Sequence, residues 1–593
     1  MRSSLPERKL ASMATAAPQQ AADQKHTPEK RTIGAIWQKA VARPREVPAY
    51  LVETEDGWKE VSWNEAARRV DEIAFGLLAL GIRKGDAFGI LSSTRLEWAL
   101  VDFALARIGA VTAPIYANSA PADCAYMLGL VQAVGVFVED ESLELAPRLQ
   151  HVISFRELEQ LEARGRAYRE EHPDALAQAE AAIGEEDLYT FIYTSGTTGP
   201  PKACMIRHRN YFAMTATIDL VDEFTMRADL MLLYLPLAHN FGRLLHLLGA
   251  YEGYTIAFLS DPLRTAEALP VVRPTVLPSV PRLYEKVHTR IQAQFDEATG
   301  LRRRLIDWAL RVGYEASPYK RRGESLPPGL ALRHRLADRL VYSKVKDKLG
   351  GRLRLGISGG APLAQEIAEF FHALDILILE GYGLSECTTG CSVNRPGHVK
   401  FGTVGLPLPR FEVEIAPDGE ILIRSETVFA GYYADEEATR GVLDADGWLH
   451  SGDIGELDED GFLVITDRKK DIIVTAGGKN VAPQNLENAL KSAKLVSQAL
   501  VIGDRRPYLV ALISLDEEEA AKEGQADFQA AVQEIVDAVN RDRSRFEQIK
   551  RFAILPRDFS MEHGEVTPTL KLKRRVAENN FAEEIEALYA APR

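Results

Sequence analysis

Short runs of β-branched and aliphatic residues recur along the chain, separated by stretches whose apolar residues return with helical spacing. The runs Ala87–Ser93, Val111–Tyr116, Val134–Val138, Leu188–Tyr193, Leu230–Leu237, Thr255–Ser260, Arg352–Ser358 and Ile376–Leu379 predict strands. Strands alternating with helices predict parallel sheets with helices on both faces, an α/β body. After Phe411 the pattern shortens to strands and turns, as in Glu412–Ile415, Glu420–Arg424 and Gly461–Thr466, so 411–466 is expected to form a small β-rich part of that body. A charged stretch, Asp467-Arg468-Lys469-Lys470-Asp471, then precedes about 120 residues of α+β pattern. This places an N-terminal body at 31–469 and a C-terminal α+β lobe at 470–593, able to rotate on a short polar linker. Residues 1–30 have no apolar periodicity and are expected to be a disordered leader; Glu7 and Asp23 weigh against a transit peptide.

The length of 593 residues is several times the usual reach of one hydrophobic core, in keeping with two or more folded units. With 46% apolar and 26% charged residues, the chain is globular in composition. Its net charge of −14 argues against a nucleic-acid partner, because such proteins neutralise phosphates with surplus lysine and arginine. No apolar run reaches 18 residues and the first thirty lack a signal-peptide core, so a cytoplasmic location is expected. The four cysteines, Cys124, Cys204, Cys387 and Cys391, are too scattered for a disulfide framework and lack the nearby histidines of a zinc site. Charge is uneven: 282–354, helical in pattern, holds 18 basic against 8 acidic residues, including Arg302-Arg303-Arg304 and Lys320-Arg321-Arg322. Two readings fit that stretch, a solvated helical surface or a peripheral patch that meets anionic membrane lipid.

The strongest local signal is Tyr193-Thr194-Ser195-Gly196-Thr197-Thr198-Gly199-Pro200-Pro201-Lys202, between the predicted strand ending at Tyr193 and a second β-type run, Cys204–Ile206. Glycines let the backbone approach an anion, hydroxyls and amides donate to it, and Lys202 adds positive charge, so the loop suits a polyphosphate. It lacks the Gly-Lys-Ser/Thr ending of a Walker loop. Two further glycine-bearing segments, Ser358-Gly359-Gly360-Ala361-Pro362 and Glu380-Gly381-Tyr382-Gly383-Leu384-Ser385-Glu386, each follow a β-type run, where α/β sheets bind ligands.

In this order the segments resemble the signatures of the adenylate-forming superfamily, which includes acyl-CoA synthetases, luciferases and peptide-synthetase adenylation domains. The resemblance runs from about Trp63 to Arg575, nearly the whole expected fold. It implies that Thr194 through Gly199 and Lys202 grip ATP phosphates, and that Gly359, Gly360, Ala361, Glu380, Gly381, Gly383 and Ser385 line the nucleotide. Tyr382 would stack on adenine, and Glu386, with Thr194, would hold Mg²⁺. Asp453, in Trp448-Leu-His-Ser-Gly-Asp453, would accept from both ribose hydroxyls, with Arg468 reaching the same sugar. Leu235-Pro-Leu-Ala-His239-Asn-Phe-Gly242 resembles the segment beside the acyl carboxylate, so His239 would stand at the pocket mouth in a positioning role. Near the C-terminus, Gly564–Arg575 resembles the last motif, whose lysine swings in for adenylation; Lys571 aligns with it and Lys573 is the competing choice. The lobe would turn at Lys470 and then bring Gly478 and Lys479 to the pantetheine path of coenzyme A.

Two departures stand out. Thr569-Leu570 replaces the usual Ser-Gly, a form associated with the long-chain acyl branch, while Ala203 and Arg207 follow the loop lysine where glycine and a hydroxyl residue are common. The implied activity is a bacterial-type long-chain fatty acid–CoA ligase using ATP, Mg²⁺ and coenzyme A. The alternatives are a shorter or aromatic acid, an acyl carrier protein as acceptor, or a nucleotide-sensing protein without catalysis.

Overall fold

The computed structural model describes residues 30–139, 149–194, 200–523, 527–541, 543–567 and 572–590. The expected leader therefore lies outside the described residues, apart from Lys30.

Two sheets dominate the N-terminal body. The six-stranded sheet runs His151–Ser154, Gly135–Val138, Ala87–Ser92, Val111–Tyr116, Leu188–Thr194, Lys202–Arg207; all its pairings are parallel except the last. The nine-stranded sheet has six parallel strands at its centre, in the order Ile378–Tyr382, Leu355–Ser358, Val276–Ser279, Leu230–Leu233, Thr255–Phe258, Tyr50–Thr54. Antiparallel strands close its two edges, Gly57–Val61 on one side and Ser392–Val393 with Leu406–Pro407 on the other. The predicted strand at 230–237 stops at Leu233, because the Leu235 carbonyl turns to accept from the Thr94 hydroxyl at 2.8 Å and Pro236 opens a turn closed by the His239 amide. The strand expected from Arg352 begins at Leu355, since Arg354 spends its side chain on Asp229 and on the Glu223 and Phe224 carbonyls.

The helices Leu96–Ile108 and Asn240–Glu252 are buried almost all round, as helices enclosed by a core must be, and share one continuous core with both sheets. Inside that core is a charge pair. Arg243 donates to Asp102, to Thr190 Oγ1 at 2.9 Å and to the Tyr189 hydroxyl at 3.2 Å, and both charged side chains are 0% exposed. Asp102 also accepts from Thr112 Oγ1 at 3.0 Å and from the Tyr189 hydroxyl. The pair thus clamps the helix that begins just after His239 to the strand that ends at Thr194.

The β-rich part is a four-stranded antiparallel sheet, Glu412–Ile415, Glu420–Arg424, Leu449–Leu457, Leu463–Arg468. Beyond it, Val496–Ile502, Leu509–Leu515 and Ile549–Ile554 form a separate sheet packed on Pro483–Lys491 and Phe528–Asn540, with an apolar core of its own starting at Ile473. This C-terminal unit touches the body through Arg282, which donates to the Ser497 carbonyl and hydroxyl at 3.1 and 3.0 Å, and through the Asn118 amide, 3.2 Å from Met561 Sδ. The basic stretch is helical as expected, in Pro281–Asp296, Gly300–Arg321, Pro328–Ala337 and Ser343–Lys348. Among the described residues no helix is long and apolar enough to cross a membrane.

Candidate functional site

Parallel strands deliver their C-terminal ends to one side of a sheet, and Thr194, Gly359 to Ala361 and Tyr382 to Glu386 stand at or just past such ends. Thr194 ends one strand and pairs in register with Lys202, which opens its antiparallel neighbour. Ser195, Gly196, Thr197, Thr198 and Gly199 lie outside the described residues. On the far side of Lys202–Met205 a third segment joins the ladder: the Tyr433 amide donates to the Ala203 carbonyl at 2.8 Å and the Met205 amide to the Gly431 carbonyl at 2.9 Å. That pairing carries in two residues that sequence reasoning missed. Asp435 sits 3.0 Å from Lys202 Nζ, and the Tyr432 ring lies 5.2 Å beneath the same ammonium. The run Phe429-Ala-Gly-Tyr-Tyr433 offered an aromatic-glycine signal, but its partner strand is more than two hundred residues away and no local spacing points to it.

The Tyr432 hydroxyl donates to Glu386 Oε1 at 2.7 Å. Burial pushes the Cys204 thiol pKa well up, the Glu386 carboxylate raises it further, and a bond with the Thr194 side chain acts against both. One carboxylate and one hydroxyl form a sparse but suitable oxygen set for Mg²⁺, which keeps several waters and takes remaining ligands from substrate phosphates. Consistent with that sparseness, no cluster of three or more His, Cys, Asp or Glu side chains is placed to hold a metal among the described residues.

Tyr382 and Arg468 meet on one carboxylate. The Tyr382 hydroxyl donates to Asp453 Oδ2 at 2.6 Å, while Arg468 Nε lies 3.2 Å from Oδ1, and Asp453 and Arg468 face each other across adjacent strands. The Lys470 ammonium has its pKa lowered by burial and by neighbouring Arg468, against the opposing fields of Asp471, Asp453 and Glu386. Gly381 and Tyr382 pair with Val393 and Ser392, and a side chain at Gly383 would stand 1.7 Å from the Thr389 carbonyl, which makes glycine obligatory there.

Glu380 accepts from the Leu363 amide at 2.9 Å and so ties its segment to Gly359-Gly360-Ala361; desolvation raises its pKa to about 8. Gly360 takes a left-handed φ of +82°, the turn that carries the chain away from the strand end at Ser358. The Phe241 ring approaches Gly359, and His239 caps the helix that Asn240 begins, its Nδ1 accepting from the Phe241 amide at 3.1 Å. Asn240 was not foreseen. It donates to the Ser385 carbonyl at 3.2 Å, accepts from the Tyr211 hydroxyl at 2.7 Å, and its carbonyl accepts from Thr389 Oγ1 at 3.2 Å, locking the His239 segment to the Tyr382–Glu386 segment.

Gly478 and Lys479 are not part of this group. They occupy the turn of a small hairpin, Ile473–Val474 with Asn480–Val481, where Lys479 Nζ lies 5.8 Å over the Phe546 ring. Lys571 lies outside the described residues, but both flanks of its segment are held: Val566 bridges Leu572, and the Lys573 amide donates to the Glu565 carbonyl at 2.7 Å. Burial opposes the charge on Glu565, yet paired bonds from Arg557 at 2.6 and 2.7 Å outweigh it and hold the carboxyl at about 2. Met561, three residues before Gly564, is the residue that meets Asn118, two residues past the end of Val111–Tyr116 and on the same sheet side as Thr194.

A doubly sheeted α/β body next to a small α+β unit defines the class, and the chain belongs to the AMP-binding enzyme family. Residues 37–433 match that family, described as "AMP-binding enzyme", and residues 470–593 match "AMP-binding enzyme C-terminal domain". Among its relatives is the long-chain-fatty-acid–CoA ligase FadD15 of Mycobacterium bovis, 39% identical over 577 residues, covering 92% of this chain and 95% of that one. The peroxisomal long chain acyl-CoA synthetase 7 of Arabidopsis thaliana is 33% identical, over 90% of this chain and 82% of its own. Among solved structures, the adenylation domain of a carboxylate reductase from Mycobacterium chelonae superposes with a TM-score of 0.75 at 25% identity, over 96% of this chain and 93% of that one. The corresponding domain from Segniliparus rugosus, in complex with AMP and a co-purified carboxylic acid, gives 0.73 at 22% identity, over 96% of each chain.

Proposed function

We propose that the protein is an ATP-dependent long-chain fatty acid:CoA ligase. A carboxylate oxygen attacks the α-phosphorus of ATP, forming acyl-AMP and expelling pyrophosphate; the thiol of coenzyme A then attacks the acyl carbonyl carbon, losing its proton as AMP leaves. The observation that carries this reading is the pair of linked groups Lys202–Tyr432–Glu386 and Tyr382–Asp453–Arg468, in a chain related over nearly its whole length to fatty acid ligases.

In this reading the carboxylate nucleophile needs no general base, so rate comes from position and fixed positive charge. Lys202 and the 194–199 turn hold the phosphates, Lys571 closes over the α-phosphate, and Asp453 takes the ribose hydroxyls after Tyr382 swings its hydroxyl clear. Gly359 through Ala361, Glu380, Gly381, Gly383 and Ser385 shape the adenine slot, and His239 positions the acyl carboxylate. Bound Mg²⁺ supplies positive charge against the phosphate oxygens; Glu386 and Thr194 would hold it, with Tyr432 orienting the Glu386 carboxylate. The lobe 470–593 turns at Lys470 between the two half-reactions, bringing Gly478 and Lys479 toward the pantetheine arm.

Initial rates of pyrophosphate release and of thioester formation, across acids of increasing chain length, test the reaction and its substrate class. Maximal turnover on a short or aromatic acid, or an acyl product found only on a carrier protein, would overturn the assignment. Lys571→Ala is expected to abolish acyl-AMP formation while sparing thioester formation from supplied acyl-AMP; equal loss of both half-reactions would remove Lys571 from its role.

A further inference from the structure

The basic helices form a surface that the ligase chemistry does not use. Gly300–Arg321 and Pro328–Ala337 run antiparallel, held by a forked Arg333–Glu315 pair at 2.8 and 2.9 Å, and the turn Asp338–Tyr342 continues the second helix back to the Ala309 carbonyl. Their outward faces carry exposed leucines: Leu301 at 83%, Leu332 at 71% and Leu336 at 49%. Leu332, Arg335, Leu336 and Arg339 are three or four residues apart and share one helix face. Arg304, Arg335 and Arg339 are exposed, and among the described residues none has an ion-pair partner, whereas the acids of the same surface are already neutralised, Asp307 by Arg303, Glu315 by Arg333 and Asp338 by Lys346.

Single exposed leucines are ordinary, but leucines interleaved with unpaired arginines on one helix face match the composition of a helix lying at a lipid interface. Net charge cannot drive such contact, since the whole chain carries −14 and is repelled by an anionic surface. The attraction must be local. We propose that this helix face docks on a bilayer containing anionic phospholipid, with Leu332 and Leu336 entering the headgroup boundary and Arg335 and Arg339 meeting lipid phosphates. The proposal rests on the ligase reading for its benefit: a long-chain acid dissolves in the bilayer, and a docked enzyme draws on that store.

The test is co-sedimentation of the full-length protein with phosphatidylcholine vesicles prepared with and without phosphatidylglycerol, beside the variants Arg335→Glu/Arg339→Glu and Leu332→Gln/Leu336→Gln. Each arginine near an anionic surface contributes roughly fivefold to partitioning, so the arginine variant is expected to bind on the order of 25-fold more weakly or worse. Turnover of water-soluble octanoate without vesicles is expected to stay unchanged in both variants, while turnover of vesicle-borne palmitate falls in step with binding. Equal pelleting on neutral and anionic vesicles, parent-like binding by the variants, or a self-association that the variants abolish while vesicle binding persists would each overturn the proposal. Absence of turnover in the parent on every acid offered, detergent-dispersed palmitate included, would count against the ligase reading and leave the lipid result standing.

Discussion

Asp102→Asn preserves the size of the side chain and removes its charge, leaving the Arg243 guanidinium at 0% exposure without a counter-ion. Breaking a buried pair by neutralising one partner destabilises by about 3–5 kcal/mol, because the remaining charge stays desolvated. The unfolding entropy of a body of roughly 440 residues is about 0.9 kcal/mol per degree, so the melting temperature is expected to drop by about 3–5 °C. Scanning calorimetry resolves such a shift in the transition of the N-terminal body. The double variant Asp102→Leu/Arg243→Met removes both charges and is expected to recover most of the loss, since apolar replacements of a buried pair are commonly neutral or stabilising. Arg243 also joins the strand that ends at Thr194 to the helix behind His239, so the single variant is expected to lose kcat/KM well below its melting temperature. A shift under about 1 °C, or a double variant as unstable as the single, would refute the clamp.

Tyr432→Phe removes the hydroxyl that holds Glu386 Oε1 and keeps the ring under Lys202; a bond to a charged group is worth about 1.5–3 kcal/mol, so the Mg²⁺ concentration needed for half-maximal adenylation should rise about tenfold or more, and an unchanged Mg²⁺ titration would disconnect Tyr432 from the metal. His208 and His246, both fully buried, are depressed by burial to about 4 and about 3, so only the unfolded chain gains their protons as pH falls from 6.5 toward 4 and stability falls with it. At pH 5 each is expected to subtract about 2 kcal/mol, and His208→Gln, which can still accept from the Ile33 amide, should flatten the fall in melting temperature between pH 7.5 and 5; an identical slope would argue against it. Glu380, raised to about 8 by desolvation, keeps its proton at neutral pH, and its ionisation above pH 8 is expected to weaken ATP binding; Glu380→Gln should erase that alkaline limb in the pH profile of the ATP KM while leaving the neutral value within about threefold.

Much of this molecule was legible where chemistry is local. The strand Val111–Tyr116 was read to the residue, and the motifs ending in Lys202 and Glu386 fall where one strand opens or another has just closed, because glycine, hydroxyl and acid residues crowd where a chain must turn; Asp453 instead sits in the middle of Leu449–Leu457. What escaped were pairings across long separations. Tyr432 and Asp435 reach Lys202 through a ladder closed by distant backbone, and Asn240 bonds Ser385 across the nine-stranded sheet; neither leaves a periodic trace. The hairpin Tyr50–Thr54 with Gly57–Val61 was missed because its outer strand, Gly57-Trp-Lys-Glu-Val61, is charged and half exposed, as an edge should be. The strand at 230–237 was overextended because Leu235 and Leu237 are as apolar as strand residues and are buried for another reason, under the helix that follows.

The antiparallel edge Lys202–Arg207 has a lifetime on the ribosome. Its outer backbone groups are capped by Ala430–Tyr433, which is synthesised more than two hundred residues later. At about 5–20 residues per second, the apolar stretch Ala203-Cys-Met-Ile206 stays an open template for roughly 10–45 s of every synthesis. During that interval the nascent chain is vulnerable to edge-to-edge association along a strand that opens at Lys202 of the candidate site.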